Sequence, residues 1–97
     1  MVVYHTVLFD FKEDTDETQV QACVADLNLL PAAIPEVQSW AVAEDIGKRD
    51  GSLRFALLAT FADMAALERY LTHPEHVRVV SNALPYLSSL AEHDYLG

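Results

Sequence analysis

The stretch Tyr70-Leu71-Thr72-His73-Pro74-Glu75-His76 interrupts a helical pattern in the second half of the chain. A proline pushes the residue before it out of the helical region, and proline itself fits the first position of a helix. The stretch therefore predicts a helix that ends near Leu71 and a new helix that begins at Pro74. Tyr70 then lies in the last turn of one helix and His76 in the first turn of the next, so both side chains face the space at the kink.

Tyr70 and His76 form a candidate acid–base pair at this kink. The positive end of a helix dipole favours neutral imidazole, the form that accepts a proton, although Glu75 acts against this bias. A phenol beside a neutral histidine suits proton transfer. Both side chains also have a structural interpretation, as a core tyrosine and a buried, hydrogen-bonded histidine. His73, directly before Pro74, is predicted to cap the second helix.

The composition indicates one small acidic domain over residues 1–97. A chain of this size buries roughly 60–70% of its unfolded surface, which is enough for one core. The hydrophobic content of 52% is high for this length and predicts a second buried surface, shared with another copy. The formal charge of −9 argues against nucleic acid or an anionic membrane surface as a partner.

Several signatures of other protein classes are absent. Cys23 is the single cysteine, so no intrachain disulfide is expected and a reducing cytoplasm is the predicted compartment. The first residues do not resemble a signal peptide, and no stretch approaches the ~20 apolar residues of a membrane span. Zinc-type Cys/His spacing, a glycine-rich phosphate loop and a nucleophile elbow are also missing. We therefore expect neither a metal nor a cofactor.

Hydrophobic periodicity predicts four strands and two helical regions. The segment Thr15-Asp16-Glu17 is typical of a helix start, with Thr15 as the capping residue, and Asp63 begins the second helical region. Pro31 and Pro35 are predicted to end the first helix. The predicted strands cover residues 2–12, 37–46, 53–61 and 88–96.

The resulting order, β-α-β-β-α-β, is typical of an α+β, ferredoxin-like fold with an antiparallel four-stranded sheet. Its helices cover one face of the sheet only. The opposite face is apolar too and needs a cover, for which a second copy of the same sheet is the simplest choice. Two sheets packed in this way form a dimeric α+β barrel. We assign to this face the residues Tyr4, Thr6, Leu8, Trp40, Val42 and Leu58.

His5 is a further candidate site residue because it lies on the more apolar side of the first strand, with Val7 and Phe9. A polar group placed among apolar neighbours suits a pocket, and we expect His5 to share that pocket with Tyr70 and His76. The structural interpretation is a histidine at the edge of the core. These three residues are the catalytic candidates.

Four short stretches and one spaced motif of the chain form a recognisable combination. They are Tyr4-His5-Thr6-Val7-Leu8-Phe9-Asp10-Phe11-Lys12, Ile34-Pro35, Thr60-Phe61, Asp94-Tyr95 and above all Tyr70-x-x-His73-Pro74-x-His76. Together they resemble the stress-responsive A/B barrel (Dabb) family over essentially the whole chain. The resemblance implies a ferredoxin-like homodimer joined through its sheets.

In plant polyketide cyclases of the family, the resemblance implies a cofactor-free aldol condensation. His76 corresponds to the base, Tyr70 to its assistant and His5 to a pocket histidine. Phe55 and Leu27 stand where those cyclases have a second histidine and a tyrosine, so this pocket is expected to be more apolar. A magnesium site of plant members uses backbone carbonyls and leaves no side-chain signature, so no metal is predicted here. The predicted apolar lining is Val7, Phe9, Leu27, Phe55, Leu57, Leu71 and Val80.

Three functional hypotheses follow. The first is a cytoplasmic Dabb homodimer whose pocket binds a small apolar molecule with a carbonyl or hydroxyl group. In this hypothesis His76 abstracts a proton next to the carbonyl while Tyr70 and His5 polarise the oxygen. The second is a non-enzymatic stress-response or ligand-binding dimer whose polar cluster is structural, because a fold does not fix a function. The third is a cofactor-independent monooxygenase of the antibiotic-biosynthesis type.

Overall fold

The computed structural model describes residues 1–97 and confirms the ferredoxin-like α+β fold. Its strands are β1 (Val3–Phe11), β2 (Ser39–Glu44), β3 (Phe55–Phe61) and β4 (Leu87–Leu96). Its helices are α1 (Glu17–Leu27), α2 (Leu30–Ala33), α3 (Met64–Thr72) and α4 (Pro74–Ala83), with a short 3-10 turn at Leu84–Tyr86. No helix combines the length and the hydropathy that a membrane span needs.

The four strands form one antiparallel sheet in the order β2-β3-β1-β4. β1 therefore pairs on both sides, and its register fixes which residues of the distant strands become neighbours. His5 lies opposite Ala59 of β3 on one side and Asp94 of β4 on the other. Because side chains alternate along each strand, this register also fixes which residues share a face of the sheet.

The helices cover one face of the sheet, here called the inner face. Every second residue of β1, from Val3 to Phe11, is buried on it, and β3 follows the same alternation. Both strands are central in the sheet, so their inner residues meet α1, α3 and α4 and form the hydrophobic core. β4 is an edge strand and stays largely exposed along its length.

Two predicted helix boundaries are wrong in detail. The N-cap of α1 is Asp16 rather than Thr15, because the Asp16 carboxylate accepts a hydrogen bond from the Thr18 amide at 2.8 Å. Pro31 does not terminate α1, which ends at Leu27. It instead occupies the first turn of the separate helix α2, a position that proline favours because its missing N–H is not needed there.

The kink between α3 and α4 forms as predicted, and His73 is the residue between the two helices. His73 has an extended backbone, with φ −62° and ψ 136°, as expected before a proline. Its Nδ1 accepts a hydrogen bond from the Glu75 amide at 3.1 Å, and its own amide donates to the Tyr70 carbonyl at 3.1 Å. His73 therefore caps α4, which confirms the role predicted for it.

Replacing this cap should lower stability. We expect His73→Ala to reduce the free energy of unfolding by about 1 kcal/mol, the usual loss when a capping side chain is removed. Asn is a strong capping residue, so His73→Asn should retain most of the stability. Urea unfolding of both variants measures the difference. Equal stability of His73→Ala and the wild type would show that the cap contributes nothing.

One face assignment from the sequence is wrong. Trp40 and Val42 lie on the inner face, because Trp40 is opposite the buried Ala59 and Val42 is opposite the buried Leu57. The Trp40 indole N–H donates to the Asn28 side-chain oxygen at 2.9 Å, which ties it to the end of α1. Periodicity separates the two sides of β2 but does not say which side meets the helices, and that choice depends on the register with β3.

The opposite, outer face of the sheet has no cover within the chain. Tyr4 and Tyr95 stack there with ring centroids 4.9 Å apart, and Leu8 and Leu58 are both exposed. The register places beside them small or polar residues of all four strands, namely Thr6, Ser39, Ala41, Ala43, Ala56, Thr60, Ala91 and His93. The outer face is thus a mixed surface with an apolar centre.

Candidate functional site

A cavity of about 100 Å³ lies between the inner face of the sheet and the helices. Three polar candidates, His5, Tyr70 and His76, all line it. The predicted apolar residues Val7, Phe9, Leu27, Leu57 and Val80 line it as well. Its remaining lining residues are Phe11, Cys23, Ala83, Leu84, Leu87, Leu90 and Glu92.

Two residues predicted for the lining lie elsewhere. Phe55 is buried in the core, where its ring stacks on Phe9 at 5.4 Å between centroids and meets Phe11 edge-on at 5.8 Å. Phe55 does not line the cavity. The Leu71 side chain packs against the core. Leu71 contributes to the site only its backbone carbonyl, which lies within hydrogen-bond distance of His76 Nδ1.

His76 is held in the tautomer that suits a base. Its Nδ1 is 3.0 Å from the Leu71 carbonyl oxygen, and since a carbonyl can only accept, Nδ1 carries the hydrogen. In the neutral ring, Nε2 then has a free lone pair. Burial lowers the pKa of His76 below its usual 6.5, while the bond to Leu71 and the Glu92 carboxylate act in the opposite direction. Burial thus favours the neutral form of His76.

Tyr70 lies against His76, with ring centroids 4.5 Å apart, and is only 1% exposed. Burial, followed by the charge of Glu92, raises the pKa of its phenol well above 10, so it stays protonated at neutral pH. The Tyr70 hydroxyl has no hydrogen-bond partner within the chain. Every fully buried polar side-chain atom does have such a partner, so the Tyr70 hydroxyl oxygen is not fully buried. The hydroxyl is therefore accessible at the cavity and available as a donor.

His5 completes the polar end of the cavity and has a partner that the sequence analysis did not identify. The His5 ring is 3% exposed, and its Nδ1 lies 2.5 Å from a carboxylate oxygen of Asp94. Nδ1 therefore donates to Asp94, and Nε2 is left for the cavity side. The ring is 6.1 Å from that of Tyr70, centroid to centroid.

Glu92 is the second polar residue near the cavity that the sequence analysis did not identify. It shares the inner side of β4 with Leu90 and Asp94, and it lines the cavity. Alternation along β4 puts these three residues on one side of the strand, but it does not show that this side faces the cavity. That information comes from the pairing of β4 with β1.

The arrangement suits proton transfer at an apolar site. A neutral imidazole, a protonated phenol and a second histidine meet at one end, and aliphatic and aromatic side chains form the rest of the wall. No group of three or more His, Cys, Asp or Glu side chains is arranged to hold a metal ion.

Comparison with known families identifies the chain. The model of the stress responsive A/B barrel domain, Dabb, matches residues 3–96. The chain belongs to the Dabb family. This Dabb chain is 34% identical over 77 residues to an uncharacterized protein of Streptomyces coelicolor, an overlap of 77% of the chain and 79% of that protein.

Two solved structures show how the Dabb fold is shared. A dimeric ferredoxin-like protein of unknown function from Thermobifida fusca is 28% identical and superposes with a TM-score of 0.89, over 100% of this chain and 92% of that one. The hydroxynitrile lyase from Passiflora edulis has the same TM-score of 0.89 at 21% identity, over 97% of this chain and 91% of that one. At that identity the likeness to the lyase shows the fold alone.

Proposed function

We propose that the cavity binds a small, mostly apolar molecule with a carbonyl or hydroxyl group, and that His76 abstracts a proton next to the carbonyl. The observation that carries this proposal is the state of His76. Its Nδ1 is occupied by the Leu71 carbonyl, so that Nε2 is free, and burial keeps its pKa low. A base with these properties accepts a proton at neutral pH without a metal or a cofactor.

In this proposal, Tyr70 and His5 donate hydrogen bonds to the oxygen of the carbonyl group. When His76 Nε2 takes the proton, the electron pair of the C–H bond moves toward the carbonyl oxygen, and negative charge develops there. The Tyr70 phenol, kept protonated by its raised pKa, donates a hydrogen bond to that charge. His5 donates from Nε2 only when its ring is protonated, as an ion pair with Asp94. Return of the proton from His76 completes the cycle.

We further propose that the chain forms a homodimer through the outer face, in the cytoplasm. The support is the exposed apolar centre of that face together with the dimeric state of the Thermobifida fusca relative. Two such faces packed together would complete the α+β barrel. The compartment rests on the lone, buried and unpaired Cys23.

The experiment that tests the chemistry is hydrogen exchange on a simple ketone. In D₂O, the wild type should accelerate the replacement of hydrogens next to the carbonyl of 2-pentanone by deuterium, which proton NMR follows directly. Tyr70→Phe keeps the ring and removes the hydroxyl, and should slow this exchange about 10- to 1,000-fold. A wild-type rate equal to that of buffer would refute the catalytic proposal.

A ligand-binding protein without turnover is the second candidate. The Tyr70 ring packs on Phe61 at 4.9 Å and on Trp40 at 6.2 Å between centroids, which also suits a purely structural role. Saturable binding of the ketone without hydrogen exchange would favour this candidate.

A further inference from the structure

Glu92 is an exposed residue of the edge strand β4, and its carboxylate adds a negative charge to the lining of a largely apolar cavity. It lies opposite Val7 in the pairing of β4 with β1, which sets its side chain on the inner face. It lines the cavity together with Tyr70 and His76. The Glu92 carboxylate forms none of the ion pairs of the chain, so its charge is not neutralised by a neighbour.

No lysine or arginine balances this charge inside the cavity. The chain has six Lys and Arg residues, and none of them lines the cavity. Arg54, Arg69 and Arg78 pair with carboxylates elsewhere. Asp94, beside Glu92 on the same side of β4, adds a second carboxylate behind His5. The Lys, Arg, Asp and Glu side chains at this end of the cavity therefore contribute only negative charge.

The influence of Glu92 reaches both candidate catalytic groups. Its carboxylate raises the pKa of the Tyr70 phenol, in addition to the larger effect of burial. It also acts to raise the pKa of His76, against the stronger lowering by burial. Both effects have the sign expected of a nearby negative charge. A ligand head group held between Tyr70 and His76 would experience the same charge.

We propose that Glu92 determines the charge of the molecules that the cavity accepts: a neutral or positively charged polar group beside an apolar body, and not a carboxylate. The inference rests on the proposed function and names the class of ligand for the same cavity. An ammonium group is attracted to Glu92, whereas a carboxylate brought beside it meets a like charge with no lysine or arginine in the lining to offset it. The apolar body lies along Phe9 and Phe11, which follow Val7 on the inner face of β1 and pair with Leu90 and Leu87 rather than with Glu92.

Three probes with the same carbon chain test this proposal: hexylamine, 1-hexanol and hexanoate. Titrations followed by ¹H–¹⁵N NMR give their affinities and show whether the amides near the cavity respond. The wild type should bind hexylamine about 10-fold more tightly than hexanoate, the size expected for a charge that is partly screened by water. Glu92→Gln should remove this preference, so that hexylamine and hexanoate bind about equally.

Glu68→Gln is the matched control. Glu68 is exposed on α3 and does not line the cavity, so this variant makes the same change in net charge away from the site. It should keep the wild-type preference. An equal loss of preference in both variants would assign the effect to net charge and overturn the role of Glu92.

Further outcomes test the role of Glu92 separately from the proposed function. Equal binding of hexylamine and hexanoate to the wild type, or an unchanged preference in Glu92→Gln, overturns this inference alone. Absence of binding by all three probes overturns it together with the proposed binding site. Failure of the ketone exchange with a clear amine preference refutes the chemistry and leaves the role of Glu92 in place.

Discussion

His76→Asn is expected to lower the ketone exchange rate by about 100-fold or more, the usual contribution of a positioned general base. The amide nitrogen of Asn can occupy the place of Nδ1 and keep the hydrogen bond to the Leu71 carbonyl. The variant has no counterpart of Nε2 that accepts a proton. It thus removes the base while it preserves the local anchor between α3 and α4.

The fold provides the control for this variant. Thermal unfolding of His76→Asn should stay close to that of the wild type, and its affinity for 1-hexanol should be retained. A variant that is stable, binds the probe and still exchanges ketone hydrogens at the wild-type rate would exclude His76 as the base. A variant that fails to fold would instead support the structural interpretation of this histidine, and Tyr70→Phe would then decide whether any chemistry remains.

The pH dependence of the exchange has a defined sign. The base is the neutral form of His76, which dominates above its pKa, and burial places that pKa below 6.5. The rate should therefore be at its plateau at pH 7 and fall as the pH drops through a midpoint below 6.5. The raised pKa of Tyr70 keeps the phenol protonated, so this group should cause no loss up to about pH 10. A midpoint above 6.5 would contradict the assignment.

Leu58→Asp is expected to weaken the proposed dimer by about 100-fold or more. Leu58 lies on β3 in the apolar centre of the outer face and is 47% exposed in the single chain. An unpaired carboxylate buried between two sheets costs about 3 kcal/mol or more, which corresponds to at least about 100-fold in the dissociation constant. Sedimentation over a range of concentrations measures this shift.

Ile46→Asp is the control for the dimer. Ile46 lies in the loop after β2, off the sheet face, and is 94% exposed, so its substitution should leave the dissociation constant unchanged. Trp40, which the sequence had assigned to the interface, lies on the inner face and is not a suitable probe of it. A wild type that sediments as a monomer at micromolar concentration would refute the dimer, and an unaffected Leu58→Asp dimer would place its interface elsewhere.

The geometry of the site was only partly predictable. His5, Tyr70 and His76 were selected by residue type and by resemblance, and the structure places all three around one cavity. The sequence analysis did not identify the neighbours that hydrogen-bond to these side chains or act on their pKa values. Asp94 and Glu92 belong to a strand whose relation to β1 is invisible in the local pattern.

The sequence by itself determined the elements of this protein that depend on near neighbours. Alternation along β1, the Asp63 cap of α3 and the His73-Pro74 kink involve interactions within a few residues, so the local pattern was sufficient to predict them. The tertiary structure alone decided which face Trp40 occupies. It also decided that His5 meets Asp94, 89 positions away in the chain. Both depend on strand register, in which a shift by one residue moves every side chain to the opposite face of the sheet.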